Sequence, residues 1–300
     1  MKHYLSFLFL VSFFASTELL AQINVGTAIP PISFLVEKIG GNTVQVETAL
    51  GPGQNPHTFS ISPKKMSSLM QSDLYFSIGF PLEARIVNVL KSKTGSKNGA
   101  VKIRDISLGI KRLPLLDDHH HHHEGAEHHD HLETMGDTHI WTTPQNLKIM
   151  ATVITEELKK HAPQLSATFD QNFQVLSKEI DSTQALLDKL LAPLRGKSVL
   201  IYHPSIQYLT AQYGIELLPV EIDGKEPSPK QLNKIIAKAR SHHAKSILID
   251  AYLDGRHIKS IIQLLNVKEI KLELLNHQIL ESIIKAAQAI AATEGNNAAN

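Results

Sequence analysis

The chain has 300 residues, 42% of them hydrophobic and 20% charged, which suits a globular fold and excludes a disordered, collagen-like or many-spanned one. Its 30 Lys and Arg nearly balance its 29 Asp and Glu, so a formal charge of +1 supplies no basic field to hold nucleic acid. The absence of cysteine excludes disulfides, thiolate metal sites and cysteine nucleophiles, whereas the 17 histidines almost equal the 16 glycines.

Residues 1–21 carry Lys2 and His3, an apolar core from Tyr4 to Phe14 and then Ala15 to Ala21. That layout predicts a secretory signal peptide cleaved near Ala21. Ser6, Ser12, Thr17 and Glu18 interrupt the run well short of the ~20 apolar residues that a membrane span requires. The product is expected to be soluble in the periplasm, and nothing in it points to a membrane anchor or to more than a monomer.

Short β-rich runs then alternate with amphipathic stretches. INVGTA, TVQVETAL, DLYFSIG and VKIRDIS read as strands, with helices near Pro31–Ile39, Pro63–Gln71 and Pro81–Lys91 between them. A further helix starts at Pro144. Leu165, Phe169, Phe173, Leu176, Ile180, Leu187 and Leu190 form the apolar stripe of one long helix over Pro163–Leu191. A second βα series follows: the strand GKSVLIYH, a helix over Ser205–Tyr213, the strand IELLPV, a helix capped by Ser228 with Pro229 at its first position, and the strand KSILID. The expected fold class is therefore α/β, with two βα lobes of parallel sheet joined by one long connecting helix. The boundaries are 22–160 for the first lobe, 161–193 for the connecting helix, 194–292 for the second lobe and 293–300 for a polar tail. A continuous helix between lobes resists wide hinge bending.

Eight of the 17 histidines crowd into Asp117–His131, DDHHHHHEGAEHHDH. They are His119, His120, His121, His122, His123, His128, His129 and His131. No core can be built from that composition, and imidazoles beside carboxylates make a multivalent metal collector. An engineered tag would be terminal, uninterrupted and free of acidic residues.

Outside this segment His161, His242 and His243 end helices, where a cation complements the macrodipole, His257 falls in a turn and His277 at a helix entry. These read as surface residues. His57, His139 and His203 differ, because each falls where a strand or ordered loop gives way to a helix. His203 ends the strand VLIY before Pro204, at the carboxyl edge of a sheet where α/β folds place ligand sites. The three are candidates to converge in a cleft between the lobes, although separations of 82 and 64 residues are no metal motif by themselves.

The sequence resembles the metal-binding solute receptors of bacterial ABC transporters, cluster A-I, in their zinc-uptake branch. GPGQNPHTFSISPKKMSSLMQSDLYFSIGFPLE is similar to that family's first ligand block, HIWTTPQN to its second and VLIYHPSIQYLTAQYGI to its third. The histidine-rich segment lies where the family carries one. The resemblance covers essentially the whole mature chain and implies His57, His139 and His203 as metal ligands, a histidine at the third position favouring zinc over manganese. For a fourth ligand it implies Glu273, in EIKLELLNHQ, with Asp250 at the end of KSILID as the alternative and water as a third option. It implies Zn2+ as the carried ion and an inner-membrane ABC permease as the partner.

The donor chemistry agrees: three neutral imidazoles and one oxygen form a tetrahedral set suited to zinc, whereas manganese favours more oxygen. The chain should capture and deliver without catalysing a reaction. A zinc hydrolase is the weaker reading, since neither HExxH nor GxSxG occurs. The same residues would also serve a receptor for manganese or another divalent metal, or a metal buffer or adhesin built on this fold.

Overall fold

Four parallel strands build each lobe. The structure, a computed structural model, describes residues 22–92, 100–116, 136–221, 226–253 and 255–295. The signal-like residues 1–21, the histidine-rich segment 117–131 and the tail residues 296–300 lie outside the described residues.

In the first lobe β1 (Ile23–Thr27), β2 (Val44–Thr48), β3 (Leu74–Ser77) and β4 (Lys102–Asp105) pair in the order β2-β1-β3-β4. The second lobe repeats this with β5 (Ser198–Ile201), β6 (Glu216–Pro219), β7 (Ser246–Asp250) and β8 (Lys268–Leu272), ordered β6-β5-β7-β8. Every pairing is parallel, with registers such as Val25 beside Val46 and Asp250 beside Leu272. Helices cover parallel sheets on both faces, which is why LYFS and SILID are buried at every residue and read as unbroken runs.

The connecting helices are α1 (Pro30–Gly40), α2 (Pro63–Leu69) and α3 (Glu83–Ser92) in the first lobe, then α4 (Pro144–His161) and α5 (Ser166–Leu191). The second lobe adds α6 (Gln207–Tyr213), α7 (Pro229–Ser241), α8 (Arg256–Leu265) and α9 (Ile279–Gly295). Proline opens several of them: Ser62, Thr143 and Ser228 cap helices whose first residue is Pro63, Pro144 or Pro229. Ser228 and Gln231 complete a reciprocal capping box.

The spine expected over Pro163–Leu191 is a short 3-10 turn at Pro163–Leu165 followed by the 26-residue α5, about 39 Å long at 1.5 Å per residue. Its buried face, Phe169, Leu176, Ile180, Thr183, Leu187 and Leu191, packs against α1, α4 and α9. Leu176 and Leu187 share one apolar core with Val25 and Phe76 of the first sheet and Val199 and Leu248 of the second. The two lobes are thus welded along the spine. Two boundaries differ from the sequence reading. The helix expected at Ser205 begins at Gln207, because Pro204 and Ser205 form a turn in which the Ser205 amide bonds to the His203 carbonyl at 2.7 Å. The residues Thr293–Gly295, expected in a fraying tail, continue α9, and Thr293 is buried with its hydroxyl on the Ile290 carbonyl.

Candidate metal centre

A strand order of 2-1-3-4 reverses direction between its first and third strands, and the carboxyl ends there flank a crevice. In the second lobe those are the ends of β5 and β7. His203 lies two residues beyond β5, and Asp250 is the last residue of β7. From the first lobe, the loop after β2 brings His57 and the segment before α4 brings His139. His139 directly precedes a 3-10 turn at Ile140–Thr142, and its backbone carbonyl accepts from the Thr142 hydroxyl, so the turn fixes where its ring emerges.

The three rings meet. His57, His139 and His203 each offer a nitrogen within 4.8 Å of the other two, and among the described residues they are the one such group of metal-binding side chains. Ring centroids lie 4.7 Å apart for His57 and His203, 5.0 Å for His139 and His203, and 6.0 Å for His57 and His139. His139 and His203 are buried, and His57 is the exposed member at the rim. Phe80 and Trp141 wall the cluster, with the Trp141 ring 5.3 Å from that of His139 and its Nε1 donating to the Leu274 carbonyl of the second lobe.

Carboxylates set the direction of two of the rings. Asp137 Oδ1 takes Nδ1 of His139 at 2.7 Å, and Glu221 Oε2 takes Nδ1 of His203 at 2.5 Å. An imidazole that donates from Nδ1 presents a bare lone pair at Nε2. The two Nε2 atoms face each other at 3.2 Å. Two lone pairs at that distance repel unless a cation, a proton or a metal ion, sits with them.

The titration behaviour follows. Desolvation works against a charge on His203, but the Glu221 hydrogen bond and the negative charges of Asp250, Glu221 and Asp137 outweigh it and raise its pKa above the usual imidazole value. His57 moves the other way, to about 3, through desolvation and then repulsion from His203 and His139. Of these two rings His203 is therefore the one that takes a proton more readily.

The two candidates for a fourth ligand are placed differently. Asp250 is fully buried, both of its oxygens accept from Ser205 Oγ at 2.9 Å, and its charge couples to His203 and His139. Burial raises its pKa, with His203 and Ser205 opposing. Glu273, put ahead of Asp250 in the sequence reading, is not brought to the cluster. Its neighbours Leu272 and Leu274 are buried, whereas Glu273, just beyond the end of β8, is exposed and its Oε2 accepts from Asn276 at 3.3 Å. The sequence reading missed Asp137 and Glu221 as partners of the histidines. Asp137 stands two residues before His139 and was open to inspection, but Glu221 becomes visible only when β5 and β6 pair.

The remaining histidines are elsewhere. His161 ends α4, His242 caps α7 with Nδ1 on Ser198 Oγ, and His277 pairs with Glu37 at 2.8 Å. The loop residues His119, His120, His121, His122, His123, His128, His129 and His131 lie outside the described residues. A cavity of about 550 Å³ between β6, α6 and α7, lined by Leu200, Leu218 and Ile235, contains no histidine and is separate from the cluster.

Comparison with known proteins settles the family. The family described as zinc-uptake complex component A, periplasmic (ZnuA) matches residues 25–291. The chain belongs to the ZnuA family. It is 26% identical over 275 residues to a protein of Chlamydia trachomatis serovar D whose name proposes metal binding, covering 91% of this chain and 92% of that one. It is 25% identical over 269 residues to the high-affinity zinc uptake system protein ZnuA of Paracoccus denitrificans, covering 80% and 79%. A solved structure of a ZnuA deletion mutant with zinc bound superposes with a TM-score of 0.79 at 24% identity, covering 91% of this chain and 98% of that one. The two-lobed architecture with its long connecting helix is thus the ZnuA fold.

Proposed function

We propose that the chain is a periplasmic receptor that captures Zn2+ between its lobes and delivers it to an ABC permease. The observation that carries this reading is the convergence of three imidazoles, two of them directed at each other by carboxylates. In it His57, His139 and His203 are the ligands and Asp250 is the oxygen donor in preference to Glu273. Three neutral nitrogens with one oxygen match tetrahedral zinc. Membership of the ZnuA family supports uptake in place of hydrolysis, and supports secretion with removal of residues 1–21.

His57 and His139 come from the first lobe and His203 and Asp250 from the second, so affinity depends on how the lobes sit. The welded spine limits that motion to small displacements, and a permease that shifts one lobe slightly would loosen the site and release the ion. The histidine-rich segment acts as a weaker collector, because its composition supplies no core to prearrange the imidazoles, and arranging ligands on binding costs free energy. Removal of residues 117–131 therefore leaves one tight site and abolishes the weaker ones.

The test is growth in a strain lacking the gene, under zinc chelation. The full chain restores growth and a His139→Ala/His203→Ala chain does not; equal rescue by both would refute the proposal. Selective rescue under manganese limitation would refute the choice of metal.

A further inference from the structure

Tyr208 stands on α6 of the second lobe, and its hydroxyl reaches across to the first. It accepts from the Leu113 amide at 3.1 Å and donates to the Asp137 carbonyl at 2.7 Å. Leu113 and Asp137 flank the histidine-rich segment and bond to each other, the Asp137 amide donating to the Leu113 carbonyl at 2.7 Å. This hydrogen-bonded pair is a stem without strand structure. Gly136 closes it: with φ at +64°, a Cβ there would lie 2.6 Å from the Leu113 carbonyl oxygen. Gln207, the neighbour of Tyr208, donates to the Pro114 carbonyl at 2.9 Å, and Arg112 reaches both the Asp137 and the Ile78 carbonyls. The side chain of this same Asp137 accepts from both the amide and Nδ1 of His139, at 2.9 and 2.7 Å.

We propose that Tyr208 is a positioning residue for the metal centre: from the second lobe it fixes the stem, the stem fixes Asp137, and Asp137 fixes the tautomer and plane of His139. The inference rests on the reading of the three histidines as a metal site. It adds a route by which lobe movement acts on that site. His203, Glu221 and Asp250 all belong to the second lobe and travel together, whereas His139 depends on a stem held from across the cleft. A displacement of α6 relative to the first lobe would unhook His139 alone and leave His203 oriented.

The experiment uses the mature chain with Tyr208→Phe, Asp137→Asn and both substitutions, and Co2+ as the spectroscopic probe. Loss of the hydroxyl's two bonds should weaken Co2+ binding about tenfold. In the metal-free protein, long-range nitrogen–proton correlation of the imidazoles should show His139 mixing its tautomers while His203 remains protonated at Nδ1. The double variant should bind no more weakly than Asp137→Asn, because Tyr208 acts through Asp137. Unchanged affinity and tautomer in Tyr208→Phe, additive losses in the double variant, or equal disturbance of His139 and His203 would each overturn the proposal. Gly136→Ala, which spreads the stem without touching Tyr208, should give the same selective His139 signature, and its absence there counts equally against the proposal. If the unsubstituted chain holds no Co2+ at the cluster, the metal-receptor reading fails, while the tautomer comparison still decides the role of Tyr208.

Discussion

Replacing Glu221 by Gln tests how the cluster is built. The carboxylate holds Nδ1 of His203 at 2.5 Å, and its side chain is only 16% exposed, so the bond is short, charge-assisted and shielded from water. Bonds to charged groups contribute about 1.5–3 kcal/mol net, and about 1.4 kcal/mol corresponds to a tenfold change in an equilibrium constant. Zinc affinity should therefore fall roughly 10- to 100-fold in Glu221→Gln. The amide also has a donor to offer to Nδ1, which would move the proton to Nε2, the atom needed by the metal. The proton bookkeeping changes as well. In the native chain His203 has a raised pKa, so zinc competes with a proton there and affinity falls as pH drops through and below that raised value. His57, at about 3, takes no part in this loss. With the Glu221 charge gone, the pKa of His203 should drop, and the pH below which binding releases a proton there should drop with it. Competitive chelator titration and calorimetry in two buffers of different ionisation enthalpy measure both quantities. Native affinity together with native proton release in Glu221→Gln would show that Glu221 does not orient His203.

Other consequences reach further from the cluster. Glu83 is buried, its Oε2 accepts from the Ile78 and Phe80 amides, and desolvation raises its pKa from 4.5 to about 7. A raised carboxyl pKa means stability that is fully present below pH ~4.5 and lost as pH rises through ~7, a difference on the order of 3 kcal/mol. Thermal melts of Glu83→Gln across pH 4.5–8 should lack that decline, and a slope equal to the native one would exclude Glu83 as its source. Leu176 is fully buried on the spine, so Leu176→Ala should cost about 2–5 kcal/mol and lower the melting temperature of both lobes together. Separate transitions for the lobes would contradict one shared core. Trp141, the only tryptophan, lies with its ring 5.3 Å from that of His139, and its emission should change until one equivalent of zinc is bound. A response that continues through several equivalents would place the tight site elsewhere.

Much of this fold was legible because parallel strands are buried on both faces and so announce themselves as runs such as SILID, and because the α5 stripe holds its helical spacing from Phe169 to Leu187. Local capping was equally plain at Ser228–Pro229. The α/β class with two lobes and a helical spine is what the structure shows. What the sequence concealed depends on long-range pairing. Glu221 meets His203 through the β5–β6 pairing, and Tyr208 meets Asp137 across the cleft, at separations that no local pattern encodes. Glu273 came from the resemblance, which puts a carboxylate after the last strand; its exposure between the buried Leu272 and Leu274 is visible only in the folded chain. The end of α9 was obscured by the small polar residues from Thr293 onward, which look tail-like although Thr293 is buried.

In the proposed receptor His57, His139 and His203 hold one zinc ion between the lobes. Its most direct test is a competitive zinc titration of the mature chain lacking residues 117–131, beside the same chain with His203→Ala, with bound metal counted by elemental analysis. One tight equivalent that is lost or greatly weakened by the substitution is the predicted result. Absence of a tight equivalent, or one that survives His203→Ala, would contradict it.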